Sequence, residues 1–165
     1  MTEIDSKLKR VLEDYGPMLF RLATSYEWDP ALRDDLLQDI AFSIWKALPT
    51  FKNEASLKTF IARVAHNRAV DHVIKRQRIA DRQGSVENAV ALTSKNNRHP
   101  HDRIDLLKAI RRLSLPNRQC VELMLEGFTH SEIGESLVLE ENTVAQRLSR
   151  GRRQLRAILN PGEPE

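Results

Sequence analysis

Apolar positions recur at helical spacing through most of this chain. Leu32, Leu36, Leu37, Ile40, Ile44, Trp45 and Leu48 follow one another at intervals of three and four, which predicts a helix over 31–48. Asp29-Pro30 reads as a cap followed by proline at the first helical position, and Pro49 closes the segment. After a polar stretch from Thr50 to Ser56, a second helix is predicted from Leu57 to Ala80, with Leu57, Phe60, Ile61, Val64 and Ala65 on one side. An earlier helix, Ile4 to Tyr26, is expected to break or bend near Gly16-Pro17. Between Gln83 and Asp102 the periodicity fades into Gly, Ser, Asn and His-Pro-His, with at most one short helix over Val86 to Leu92. Such a linker of about 20 residues at ~3.3 Å each spans roughly 65 Å when extended. Periodicity resumes from Ile104 to about Leu159. The expected fold is all-α: two small helical modules, 1–82 and 103–160, joined by a flexible linker, 83–102, with 161–165 as a frayed tail.

The second module carries the sharpest local signals. Thr129-His130-Ser131-Glu132 has the spacing of a capping box and opens a short helix, Ser131 to Leu137, with Ile133 and Leu137 facing inward. Gly134 in its middle costs about 1 kcal/mol relative to alanine, and the close approach of a second helix would account for it. After a break at Val138-Leu139-Glu140, another helix begins near Asn142. At ~100° per residue, Val144, Leu148, Gly151, Leu155, Ile158 and Leu159 gather on one side. Ala145, Gln146, Ser149, Arg150, Arg153 and Arg156 gather on the other, with Arg147 and Arg152 flanking. A short helix, a tight break and a longer basic helix form the bihelical DNA-binding arrangement. Gln146 and Arg150 lie one turn apart and can reach adjacent base pairs, while outlying arginines hold phosphates.

Charge strengthens that picture. Residues 1–50 hold 6 Lys/Arg and 9 Asp/Glu, residues 51–103 hold 11 and 5, and residues 104–140 hold 4 and 6. The stretch 142–160 then has five arginines and no acid. An acidic half-module followed by a basic one, twice, points to phosphate backbone as a partner, although ordinary solvated helix faces would also carry charge. Six glycines and seven prolines are too few for a sandwich or barrel. One cysteine excludes an intramolecular disulfide or a cysteine-based zinc cluster. No run approaches a membrane span, and no signal peptide is visible, so a cytoplasmic protein without membrane contact is expected. No phosphate-binding loop, nucleophile elbow or acid/base pair stands out, so no enzyme activity, cofactor or metal is expected. His66, His72, His99, His101 and His130 read as surface or locally hydrogen-bonded groups, Cys120 as a small buried residue, and Trp28 and Trp45 as core aromatics.

Several segments resemble the sigma-70 family, in its small two-region, extracytoplasmic-function group. Leu113-Ser-Leu-Pro116-x-Arg118, Glu126-Gly127-Phe128-Thr129, Glu132-Ile133 and Thr143-Val144-x-x-Arg147-Leu148-x-Arg150-Gly151-Arg152 are similar in order and spacing to the family's −35 reader. Asp35-Leu36-Leu37-Gln38-Asp39 resembles its signature for binding core RNA polymerase. The resemblance implies a sigma factor that contacts the polymerase β′ and β subunits, reads promoter DNA, and is open to control by an anti-sigma factor. Polymerase contacts are implied for Asp35, Leu36, Gln38, Asp39 and Trp45. The loop Phe51-Lys-Asn-Glu-Ala55 corresponds to the pocket for a flipped −10 base, so −10 contacts fall to Phe51, Lys52, Asn53, Arg63, Asn67, Arg68, Lys75 and Arg76. Contacts to the −35 element fall to Thr143, Gln146, Arg147, Ser149, Arg150 and Arg153. Asp71 is open to a structural role instead, pairing with Lys75 or orienting Asn67.

Three positions depart from the family pattern. Thr59-Phe60 stands in place of Trp-Leu, Val138 in place of a glycine in the turn, and Ala145 in place of a basic residue. They bear on promoter sequence and on turn geometry. A second reading is a helix-turn-helix regulator that never binds polymerase. Replacing Asp35 and Asp39 by lysine separates the two, because core association depends on them in the first reading alone.

Overall fold

The computed structural model describes residues 2–84 and 102–162, and every regular element among them is helical. In chain order these are α1 (Glu3–Tyr26), α2 (Pro30–Ala47), a 3-10 turn (Leu48–Thr50), α3 (Leu57–Arg82), α4 (Asp102–Arg111), α5 (Leu115–Leu125), α6 (His130–Leu137) and α7 (Glu141–Leu159). The expected Val86–Leu92 helix and most of the linker lie outside the described residues.

Helix starts follow local chemistry. Asp29 Oδ1 accepts from the Leu32 amide at 3.0 Å and Pro30 opens α2. Ser56 Oγ accepts from the Thr59 amide at 3.1 Å and starts α3. Thr2 and Asp5 form a reciprocal capping box on α1. Helix α1 runs through Pro17 without the expected break. Val11, Met18, Leu19 and Leu22 are buried on both sides of the proline, so packing holds the helix across the missing hydrogen bond.

Helices α1, α2 and α3 pack around Leu19, Ala23, Leu36, Ile40, Ile44, Ile61 and Ala65; α4 to α7 pack around Ile110, Val121, Leu123, Ile133, Val144 and Leu148. The two halves also touch: α1 lies against α4, and α3 against α5 and α6, so the buried apolar residues form one cluster. Polar contacts cross this seam. Arg21 donates to both oxygens of Glu126, at 2.6 and 2.7 Å. Arg111 donates to the Thr24 carbonyl at 2.8 Å, and Lys58 to the Glu126 carbonyl at 3.2 Å while lying over the Phe128 ring. Ser25 Oγ meets Glu122 Oε1, and Arg118 lies over the Tyr26 ring.

Candidate nucleic-acid interface

The break between α6 and α7 fixes the second helix of the pair. Thr129 Oγ1 accepts from the Glu132 amide at 3.2 Å, and Glu132 Oε2 accepts from the Thr129 amide at 2.7 Å, so both halves of the capping box form. Val138 ends α6 in the left-handed region, with φ of 56°. The turn keeps the geometry a glycine would adopt, despite a β-branched side chain. Gly134 is required by the chain itself rather than by a second helix. A Cβ there would stand 2.6 Å from the Leu139 carbonyl oxygen, whose own amide donates back to the Gly134 carbonyl at 2.8 Å.

Helix α7 is then seated by Val144, Leu148 and Gly151, all buried. A Cβ on Gly151 would meet Val121 Cγ2 at 2.7 Å, so α5 and α7 approach closely there. Leu155 and Ile158 are half-buried, and Leu159, expected inward, is exposed. Gln146, Ser149, Arg150 and Arg153 are exposed together, whereas Thr143 and Arg147 are half-buried at the edge of the same face. Arg147 leans toward Cys120, whose thiol burial pushes up and the guanidinium partly draws back. Cys120 is buried, as its apolar neighbours predicted.

On the other half, Phe51 packs tilted against Phe60, ring centroids 4.9 Å apart, and Lys52 and Asn53 project from the loop. Asn53 has φ of 58°, a conformation asparagine tolerates better than most residues. Thr59 is buried beneath Ser56, so Phe60 is the aromatic next to this loop. On α3, Asn67 and Lys75 are exposed. Three of the expected basic contacts already have protein partners: Arg63 donates to the Glu135 carbonyl of α6, Arg68 to Ser43 Oγ at 3.0 Å, and Arg76 to Glu27. Asp71 is exposed and forms no ion pair with Lys75 among the described residues.

On α2, Asp35, Gln38 and Asp39 are exposed on one side. Leu36, expected to meet a partner, is fully buried, because the side of α2 that carries Ile40 and Ile44 also carries it into the core. Trp45 and Trp28 are not core residues, at 38% and 54% exposed. Trp45 instead stacks on Phe42, 5.9 Å between centroids, with its indole N–H donating to Asp5 Oδ1 at 3.2 Å. This leaves an aromatic patch beside the acidic side of α2.

Two polar groups, Glu27 and His66, are buried in the same half. Glu27 is enclosed by His72 Nε2 at 2.8 Å, the Asp29 amide at 3.0 Å and Arg76. Burial pushes its carboxyl up, but these three partners outweigh it and hold it below the usual carboxylate range. The His72/Arg76 pair, one turn apart on α3, is the pattern that would have pointed to such a clamp. Buried His66 shares a hydrogen bond at Nδ1 with the Tyr26 hydroxyl, 3.3 Å, and burial lowers it to about 3, so it stays neutral. Of the two expected settings, surface or hydrogen-bonded, His66 has the second, and it is buried. No cluster of metal-ligating side chains is present among the described residues, and no helix there is long and apolar enough to cross a membrane.

Residues 11–79 match the family described as sigma-70 region 2, and residues 103–155 the family described as sigma-70, region 4. An extracytoplasmic-function RNA polymerase sigma factor, SigK of Mycolicibacterium vanbaalenii, is 25% identical over 150 residues, which is 86% of this chain and 76% of that protein. SigM of Mycobacterium tuberculosis is 24% identical over 138 residues, 76% of this chain and 63% of that one. Among solved structures, the sigma factor RpoE in complex with the anti-sigma factor NepR from Bartonella quintana shares the fold with a TM-score of 0.77 and 23% identity, covering 95% of this chain and 99% of its own. CnrH in complex with the cytosolic domain of CnrY follows at 0.69 and 18% identity, over 96% and 91% of the two chains. The two family matches fall on the two halves just described, one holding the acidic α2 and basic α3, the other the helix-turn-helix. The chain belongs to the sigma-70 family of RNA polymerase sigma factors, in its extracytoplasmic-function group.

Proposed function

We propose that residues 1–82 bind core RNA polymerase and hold the opened −10 strand, that residues 103–160 read the −35 duplex, and that residues 83–102 set the spacing between them. The observation that carries this is the exposed face of α7. Gln146, Ser149, Arg150 and Arg153 project together from a helix whose opposite side is locked to α5 by Gly151. Side chains with both donors and acceptors suit base edges in the major groove, and arginines suit guanine or phosphate. Asp35, Gln38 and Asp39, beside the Phe42–Trp45 stack, offer an acidic surface with an aromatic rim to a basic partner helix of polymerase. Lys52 and Asn53 on the Phe51 loop, and Asn67 and Lys75 further along α3, face solvent, where an unstacked base and its backbone would lie. The chain contributes recognition and positioning, with the chemistry left to polymerase, and works in the cytoplasm. Because the RpoE neighbour was solved with an anti-sigma factor, the same kind of protein is a candidate partner here.

Run-off transcription by core polymerase on a library of randomised promoter-like fragments tests the reading. Initiation that depends on this protein, at one recurrent start with two spaced elements, is expected. Asp35→Lys combined with Asp39→Lys is expected to abolish core association and the transcript together. A doubly substituted protein that binds core and initiates normally would overturn the assignment of α2.

A further inference from the structure

The seam between the two halves buries the carboxyl of Glu122. Ser25 Oγ lies 2.8 Å from the Leu22 carbonyl oxygen and also meets Glu122 Oε1. The Ser25 hydroxyl is the donor to Glu122 Oε1, with the Leu22 carbonyl as its second neighbour. Glu122 Oε2 has no hydrogen-bond partner among the described residues, which a neutral acid tolerates far better than a carboxylate does.

The surrounding charges do not supply a counter-ion bonded to it. From α1, the Tyr26 hydroxyl shares a hydrogen bond with His66 of α3 and also faces Glu122, and Arg21 is engaged by Glu126. From α4, Arg111 donates to the Thr24 carbonyl. On α5 itself, Arg118 donates to the Arg111 and Leu113 carbonyls, and Glu126 adds a second negative charge. Beside this contact a cavity of about 280 Å³, lined in part by Ala62, Leu106, Leu107 and Ile110, leaves the seam incompletely filled. Separating the halves therefore gives up less packing than opening a dense core would.

We propose that Glu122, buried against Ser25 with one carboxyl oxygen unpartnered, is a proton-dependent latch between the two halves of the chain. When the halves separate, Glu122 reaches water and gives up its proton. Acid therefore favours the closed arrangement, in which Arg63 is held by the Glu135 carbonyl, and alkali favours the open one. Burial, the largest influence, pushes the closed-state carboxyl up to about 8, against partial opposition from Ser25, Arg118 and Tyr26. Between the ordinary glutamate range and that value the closed form binds the extra proton, so closure weakens as pH rises. This depends on the packing of the two halves and not on which DNA or polymerase surface each carries.

The test uses the full chain in a Cys120→Ala background with a single reporter thiol, Ala62→Cys, placed in the seam cavity. Its labelling by a maleimide is compared with that of glutathione from pH 6 to pH 9, and the ratio gives a protection factor. Protection is expected to fall with pH, by up to about tenfold per unit, and to level off above about pH 8. Adding Glu122→Gln, which cannot ionise, should flatten the profile. A flat profile in the parent, or an unchanged slope in Glu122→Gln, would overturn the latch. Should Glu122→Gln fail to fold, the carbon-13 carboxyl resonance of Glu122 decides. Titration in step with the loss of protection supports the latch, and titration in the ordinary carboxylate range overturns it.

Discussion

Val138 and Gly134 show how one turn depends on single atoms. Val138 adopts a backbone conformation that costs a β-branched residue about 1–2 kcal/mol, and its side chain recovers little of this, being 76% exposed. Val138→Gly is expected to stabilise the protein by about 1 kcal/mol net, after the added freedom of the unfolded chain is counted. Thermal and urea unfolding read this directly. Gly134→Ala should do the opposite by about 1–3 kcal/mol, because its Cβ would press on backbone that cannot swing away. The glycine was visible in the sequence, but its reason was not: the helix expected against it is in fact the carbonyl of Leu139, five residues on. The left-handed Val138 was legible as a departure from a family pattern, and the structure shows that the pattern's geometry survives the change.

Helices were read well from the chain because their burial has a period. The core sides of α2, α3 and α7 follow from apolar spacing, and the caps at Asp29 and Thr129 from hydrogen-bonding chemistry that acts within three residues. Reading by motif was less secure for individual side chains. Leu36 sits inside the acidic signature yet belongs to the core, and Trp45 follows the apolar period yet lies at the surface. Large aromatics on a two-sided helix satisfy both descriptions until the neighbouring helix is known. On α7 the division is clean, which makes its chemistry testable. Arg150→Ala is expected to weaken −35 binding by about 1–3 kcal/mol if it pairs with guanine. Competition binding over variant −35 duplexes distinguishes that role from a phosphate clamp, for which the loss is equal on every sequence.

Whole-molecule behaviour was the least legible level. Arg21, Ser25 and Lys58 find partners around 70 to 100 residues away, and no local periodicity marks such pairs. Two buried groups also set the response of the fold to pH. His66 has a folded value near 3, below its ordinary 6.5, so the unfolded chain binds more protons between these values and stability rises with pH. Glu122 is raised from 4.5 to about 8, so the folded chain binds more protons there and stability falls as pH rises. From about pH 6.5 to 8 the Glu122 effect is unopposed by His66. Melting temperature is expected to decline across that interval, and Glu122→Gln to remove the decline.

The hydrogen bond from Arg63 to the Glu135 carbonyl carries a consequence for affinity. A promoter strand that needs this guanidinium can bind only molecules in which α6 has released it. The apparent dissociation constant is the intrinsic one divided by the released fraction, so a chain with ~1% released binds about a hundredfold more weakly than its contacts allow. Polymerase, by engaging the separated halves, would restore that factor without adding a single contact to DNA. If Arg63 contacts the opened strand, the affinity of the free chain is set by populations as well as by contacts.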